Sequence, residues 1–374
     1  MEIFFTDNNF KIGGHPIPGV PFFLDSEYKL IDNLNEFFTK DLLVDGRINS
    51  PKTWESYAYW LKDFLEWANA NSIDWKSANS QEVMAYRNWS LETCELSPNT
   101  VNARISVMKR FYNYAVQVGL VKSNPVTESQ SKSFVHVDAD FLSHTHKLKL
   151  KRNDLSVKVT HELPKIFSDQ DIKRLFNTST SDRVILMMRL MLECGLRREE
   201  VSKLPAAVVE DAIRAAQQQG PHSEIPFYLP ASICKGNKAR TVILSYPTAM
   251  KLMQYRAIVR PKYVKLFKAK QKAVPSVFWL TRLGTAYRTE SLSTEISNLG
   301  KKAGVVGAHP HKFRHTFATT LYAITGDLRL VQKLLGHEHI QTTTVYEHTA
   351  AVDRMGFFAE YQKQVDDLIA ARTD

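Results

Sequence analysis

Cysteine is scarce in this sequence: Cys94, Cys194 and Cys234 are three in 374 residues, an odd number without metal-ligand spacing. A disulfide-stapled scaffold and a thiolate metal site are therefore excluded, and reduced thiols in a cytosolic setting are expected. No apolar run approaches the length needed to cross a bilayer, and the chain opens Met1-Glu2 without the basic and apolar regions of a signal segment. A soluble, cytoplasmic protein is expected. What is abundant is positive charge, with 49 Lys+Arg against 39 Asp+Glu, a formal net charge of +10 and a pI near 9.3.

That balance favours polyanions, and its distribution is uneven. Residues 1–125 hold 12 Lys+Arg against 15 Asp+Glu, residues 126–164 hold 6 against 5, and residues 165–374 hold 31 against 19. Part of the surplus lies in Arg260, Lys262, Lys265, Lys268, Lys270 and Lys272. This cluster is either an edge that tracks phosphates or a solvated helix face.

The C-terminal region also carries residue types suited to a phosphodiester. Charge on the non-bridging oxygens must be held by donors fixed beforehand, and the planar fork of arginine does this bidentately. Arg314 lies three residues after His311, a separation that puts both on one helix face, and Phe313, Phe317 and Leu321 support a helix there. A second arginine, Arg197, follows Gly195, which permits a tight turn after the apolar helix Val184 to Leu192. Glu200, three residues on, is placed to brace its guanidinium. A departing alkoxide needs a proton, and Lys235 in Ile233-Cys234-Lys235-Gly236-Asn237-Lys238-Ala239-Arg240 can supply it. Gly236-Asn237 reads as a tight hairpin turn into the alternating Thr241-Val242-Ile243-Leu244.

The Gly-Leu-Arg-x-x-Glu box at Arg197, the Lys-Gly-Asn-Lys-x-Arg segment at Lys235, His311-x-x-Arg314, Leu-Gly-His337 and Tyr346 together resemble the tyrosine recombinase and phage integrase family, in family order. The separations of 23 residues from Arg314 to His337 and 9 from His337 to Tyr346 agree with its pattern. The resemblance, which is of the Xer-like kind, implies that Arg197 and Arg314 hold the scissile phosphate and that His311 accepts or shares the tyrosine proton. It further implies that Lys235 protonates the 5′-oxygen, that His337 hydrogen-bonds the phosphate, and that Tyr346 forms a 3′-phosphotyrosyl link. Such an ester keeps the energy of the broken bond and has a leaving group of pKa about 10, so no cofactor is expected. A site-specific recombinase serving a mobile element is the leading expectation. The alternatives are a type IB topoisomerase-like strand transferase and a DNA-binding protein without catalysis. A metallonuclease could be assembled only from His309, His311, His337, His339 and His348; no carboxylate-rich set accompanies them, so no metal is expected.

The expected fold is mainly α with a small antiparallel β-sheet, in a two-domain DNA clamp. Residues 1–27 are set aside as an N-terminal extension that matches nothing recognisable. Residues 28–125 are expected to form a helical, SAM-like core-binding domain. There Ser50-Pro51 and Ser97-Pro98 open helices carrying Trp54, Tyr57, Leu61, Phe64, Leu65 and Ala68, then Val101, Ile105, Met108, Tyr112 and Ala115, stopping near Gly119. Residues 126–164 read as a linker whose Lys147, Lys149, Lys151 and Arg152 cross the DNA backbone, with Lys238 and Arg240 as further DNA contacts. Residues 165–374 form the catalytic domain; the Gln-rich Ala215 to Gly220 suggests an inserted helix end. Its tail helix, marked by Met355, Phe357, Phe358, Tyr361, Val365 and Leu368, can fold back on its own domain or dock on a neighbouring protomer, and the resemblance favours docking in trans. Expected partners are double-stranded DNA with specific sites, a homotetramer on that DNA and possible accessory recombinases or excision factors, with no membrane and nucleoid association when bound.

Overall fold

The computed structural model describes residues 1–44, 50–126, 128–129, 152–153, 155–159, 165–221, 223–268, 273–336 and 357–370. Side chains are described for most of these residues, but not for 42–44, 128–129, 152–153, 267, 357–360 or 370. Contacts divide the chain into two compact units, Met1–His161 and Glu162–Asp374, each with its own apolar cluster.

In the first unit, short antiparallel strands precede the helices. Strand β1 (Glu2–Phe5) pairs with β4 (Pro21–Leu24), and β2 (Lys11–Ile12) with β3 (His15–Pro16). Helix α1 (Asp32–Glu36) runs on as a π-helical stretch, Phe37–Val44. Helices α2 (Pro51–Ala70), α3 (Ser80–Glu92) and α4 (Pro98–Gln117) complete the bundle. Proline occupies the first turn of α2 and α4, where its missing N–H costs nothing. Ser97 Oγ accepts from the Thr100 amide, whereas Ser50 holds the same position without a side-chain cap bond. The stripe Trp54, Ala58, Leu61, Phe64 and Ala68 of α2 and the stripe Val101, Ile105, Met108, Tyr112 and Ala115 of α4 are all buried, as their spacing requires.

Two boundaries differ from the sequence expectation. Residues 1–27 are part of the first unit: Val20 and Phe23 belong to its buried cluster, and Asn35 binds both the amide and the carbonyl of Phe23. The hydrophobic signal was thin because the strands are four residues or fewer. The far end of the expected linker also returns to this unit. Leu155 is buried in the same cluster, and Asn102 exchanges hydrogen bonds with the Val157 backbone at 2.7 and 2.9 Å. Strand β5 (Glu128–Ser129) pairs with β6 (Arg152–Asn153), while Lys147, Lys149, Lys151 and the side chain of Arg152 lie outside the described residues.

The second unit is helical around one hairpin. Helix α5 (Asp169–Thr178) starts at a Ser168–Asp171 capping box, and α6 (Asp182–Cys194) is buried along almost its whole length. After α7 (Arg198–Ser202) and α8 (Ala206–Gln219) come β7 (Glu224–Leu229) and β8 (Arg240–Ser245), paired antiparallel from Glu224↔Ser245 to Leu229↔Arg240. The Gln-rich stretch is the last turn of α8. Helices α9 (Tyr246–Gln254), α10 (Arg260–Lys268), α11 (Thr289–Ala303), α12 (Pro310–Thr325), α13 (Leu328–Leu335) and α14 (Phe357–Ala370) follow.

Helix α14 packs against the core of its own unit. Tyr361, Val365 and Ile369 are buried in the core of their own unit, the Tyr361 ring lies 5.6 Å from that of Phe317, and its hydroxyl donates to the Leu192 carbonyl. Asp366 reaches Arg189, which is 1% exposed and also pairs with Glu193 at 3.4 Å. Glu193 in turn accepts from the Ser245 amide and the Thr248 hydroxyl. Burying such charges costs desolvation unless every donor and acceptor is used, so this network specifies where the tail sits more than it adds stability.

Candidate active site

The turn from α6 into α7 is set by Gly195, whose φ of 62° is left-handed. A Cβ there would lie 2.4 Å from the Phe317 ring, so no other residue lets α6 approach α12 so closely. Arg197 follows as the N-cap of α7. Its side chain meets Glu200 at 3.0 Å while the Glu200 carboxylate also accepts from the Arg197 amide at 2.6 Å, so the brace expected from the sequence is present.

Glu200 is 0% exposed and does not serve Arg197 alone. Arg240 of β8 places a guanidinium nitrogen on each carboxylate oxygen, one at 2.7 Å. Burial would raise the Glu200 carboxyl, but the hydrogen bonds and charge of Arg240, the Arg197 amide and the charge of Arg314 outweigh it and hold it down at about 2. Arg240 was grouped with the DNA-contacting cations; instead its fork is turned inward. Along β8, Arg240 shares the face of the buried Val242 and Leu244, so the alternation itself carried the signal.

Three arginines converge on the C-terminal end of α13. Arg240 Nε donates to the Leu334 carbonyl at 3.0 Å, Arg314 Nη2 to that of Leu335 at 2.6 Å, and Arg197 Nη2 to that of Gly336 at 3.4 Å. Carbonyls at a helix C-terminus have no intrahelical partner and carry partial negative charge, which makes them natural acceptors for guanidinium groups. Gly336, with φ of 63°, ends the helix, and a Cβ there would lie 2.9 Å from Arg240 Cδ. Arg314, 5% exposed, also donates to the Gly195 carbonyl at 2.5 Å, which ties α12 to the α6–α7 turn.

His311 lies one turn before Arg314 on α12, at the exposed edge of this cluster. Partial desolvation first, then the charges of Arg314, His309, Arg198 and Arg197, lower its pKa below the ordinary imidazole value. His315, unassigned from the sequence, is lowered in the same way by burial and by His311 and Arg314. In both rings the surroundings favour the neutral form. Lys235 and Lys238 are exposed in the connection between β7 and β8. Gly236 and Asn237 have positive φ (73° and 56°), as a tight turn needs, but the ladder closes at Leu229↔Arg240, with residues 230–239 between. Lys235 thus rides on a loop and not on a two-residue hairpin, because Pro230 and the short helical turn Ala231–Ile233 end the pairing early.

Of the basic cluster after α9, Arg260 is structural, donating to the carbonyls of Phe278 and Val277, while Lys262, Lys265 and Lys268 are exposed. Lys270 and Lys272 lie outside the described residues, as do His337, His339, Tyr346 and His348. Among the described residues no three His, Cys, Asp or Glu side chains are grouped to hold a metal ion, and no helix is long and apolar enough to cross a membrane.

Two family models match the chain: the phage integrase family over residues 165–352, and the phage integrase N-terminal SAM-like domain over residues 36–119. Among curated relatives, a tyrosine recombinase XerC of Lactobacillus leichmannii is 26% identical over 86% of this chain and 95% of its own length. Transposase A from transposon Tn554 of Staphylococcus aureus is 25% identical over 90% of this chain and 93% of its own length. Among solved structures, a XerH site-specific recombinase bound to a palindromic difH substrate superposes with a TM-score of 0.57 at 18% identity, covering 94% of this chain and 90% of that one. A lambda integrase fragment bound to a core site gives 0.56 at 13% identity, over 87% and 96% respectively. With the arginine cluster in place and both halves of the chain matched, the protein belongs to the phage integrase family of tyrosine recombinases.

Proposed function

We propose that the chain cuts and rejoins duplex DNA at specific sites through a 3′-phosphotyrosyl intermediate, in the integration and excision of a mobile element. The observation that carries this reading is the meeting of Arg197 and Arg314 at the end of α13: two guanidinium forks from different helices, each with its rotamer held by a neighbour. Both would grip the non-bridging oxygens of one phosphate, whose charge grows in the transition state. The Tyr346 oxygen attacks phosphorus, the bond to the 5′-oxygen breaks, and Lys235 gives that oxygen its proton. Neutral His311 takes or shares the phenolic proton, and His337 donates to the phosphate. Attack by a 5′-hydroxyl of a partner strand reverses the step and frees the tyrosine.

In this reading the first unit, Met1–His161, is the core-binding half and the second, Glu162–Asp374, the catalytic half, working as a homotetramer on double-stranded DNA. Movement of a mobile element is supported by the likeness to the Tn554 transposase across nearly the whole of both chains. The test begins with duplexes selected from a random-sequence pool by binding to the protein. A nicked version of the selected duplex, incubated in chelator, is expected to trap a covalent adduct that Tyr346→Phe does not form. Adduct formation by Tyr346→Phe, or a strict need for a divalent ion, would reject the mechanism, and adduct without exchange between two marked sites would leave only a topoisomerase.

A further inference from the structure

Glu200 presents a physical problem for the site it braces. A carboxylate bonded to a phosphate-binding arginine fixes its rotamer, but it also cancels the charge the phosphate needs, and in a buried setting that cancellation is poorly screened. Arg197 would then be oriented and electrostatically weakened by the same partner. The structure contains the remedy. Arg240 takes both oxygens of Glu200 with its two terminal nitrogens, while Arg197 reaches the carboxylate through one terminal nitrogen and its own amide.

We infer that Arg240 is a positioning residue: it supplies the counter-charge that lets Glu200 orient Arg197 without neutralising it. One carboxylate between two guanidinium groups leaves a net charge of +1 facing the phosphate. Arg240 is held to this task by its remaining contacts, Nε on the Leu334 carbonyl and Nη1 on Cys234 Sγ at 3.6 Å, and its side chain is 9% exposed, so it has no fork to offer DNA. The same residue joins β8, α7 and the end of α13, three of the pieces on which the site is built. Glu200 in turn has four donors on two oxygens, which fills its acceptor capacity. Without Arg240, Glu200 is shared with no second guanidinium and cancels the charge of Arg197 while leaving its fork in place.

The inference rests on the recombinase reading, and the test separates the two. With the nicked duplex selected by the wild-type chain as probe, Arg240→Gln is expected to keep its affinity within about threefold and its salt slope unchanged, because no phosphate contact is lost. Adduct formation is expected to slow by about 100-fold, the scale of losing one oriented donor. Adding Glu200→Gln to Arg240→Gln removes the uncompensated carboxylate and is expected to restore at least about tenfold of that rate, a non-additive recovery that a merely structural role would not give. Arg240→Lys keeps the counter-charge and should lie between wild type and Arg240→Gln.

Wild-type rates in Arg240→Gln, a double variant no faster than the single, or a salt slope reduced by about one would each overturn the inference, the last by placing Arg240 on DNA. If Arg240→Gln alone fails to fold, the double variant and Arg240→Lys carry the comparison: rates within about tenfold of each other support the counter-charge, and an inactive, folded double variant overturns it. A wild-type chain that forms no adduct overturns the recombinase reading itself.

Discussion

Glu200 is fully buried and ionised, and its pKa of about 2 against an ordinary glutamate value of about 4.3 makes it a stability group as well as a brace. The folded pKa is depressed, so the stabilisation is complete above the unfolded value and is lost as pH falls from there towards 2. A shift of this size is worth about 3 kcal/mol, most of it gone by about pH 2. The protection of the α7 amides, taken relative to the intrinsic exchange rate at each pH, is expected to fall more between pH 6 and about 3 in the wild type than in Glu200→Gln. Equal pH dependence in the two proteins would mean that the ion pairs around Glu200 do not hold the α6–α7 turn.

Helix α14 shows how an amphipathic segment chooses a partner. Its apolar stripe is legible in the sequence, but a stripe specifies only that something apolar must cover it. Here Tyr361, Val365 and Ile369 fill a groove over α5, α6 and α12 of the same chain, and Asp366 reaches the buried Arg189. Removing Arg189 should strand Glu193 as an uncompensated buried charge, at a cost of about 3 to 5 kcal/mol. Asp366→Ala, by contrast, removes a carboxylate that is 32% exposed and should cost only about 1 kcal/mol. Chemical denaturation of Arg189→Met and Asp366→Ala in the full chain measures the contrast. Equal losses would show that the tail, and not Glu193, is what Arg189 chiefly serves.

Across the molecule, charge and chemistry coincide. The surplus of cations belongs to residues 165–374, where 31 Lys+Arg face 19 Asp+Glu, while residues 1–125 are slightly acidic. Yet several of these cations are already committed: Arg189, Arg240 and Arg260 are tied to protein groups and add nothing to a DNA footprint. Binding to a selected duplex is expected to weaken linearly in log–log form with salt, with a slope of magnitude about 5 to 10, and neutralising Arg240 should leave it unchanged. A slope near zero would show that phosphate contacts do not drive association.

Much of this could be read before any fold was known, because it depends on short separations along the chain. The left-handed turn at Gly195, the Arg197–Glu200 brace, the shared face of His311 and Arg314, and the stripes of α2 and α4 each follow from a helical period or a turn that neighbouring residues determine. The destination of Arg240, the cis seat of α14, the packing of residues 1–27 and the return of Leu155 to the first unit were settled only when distant segments met. In each of those cases the local pattern is satisfied by more than one partner: a guanidinium accepts either a phosphate or a carboxylate, and an apolar stripe accepts any apolar groove. Desolvation and packing, which act over separations such as the 40 residues from Glu200 to Arg240, choose between them.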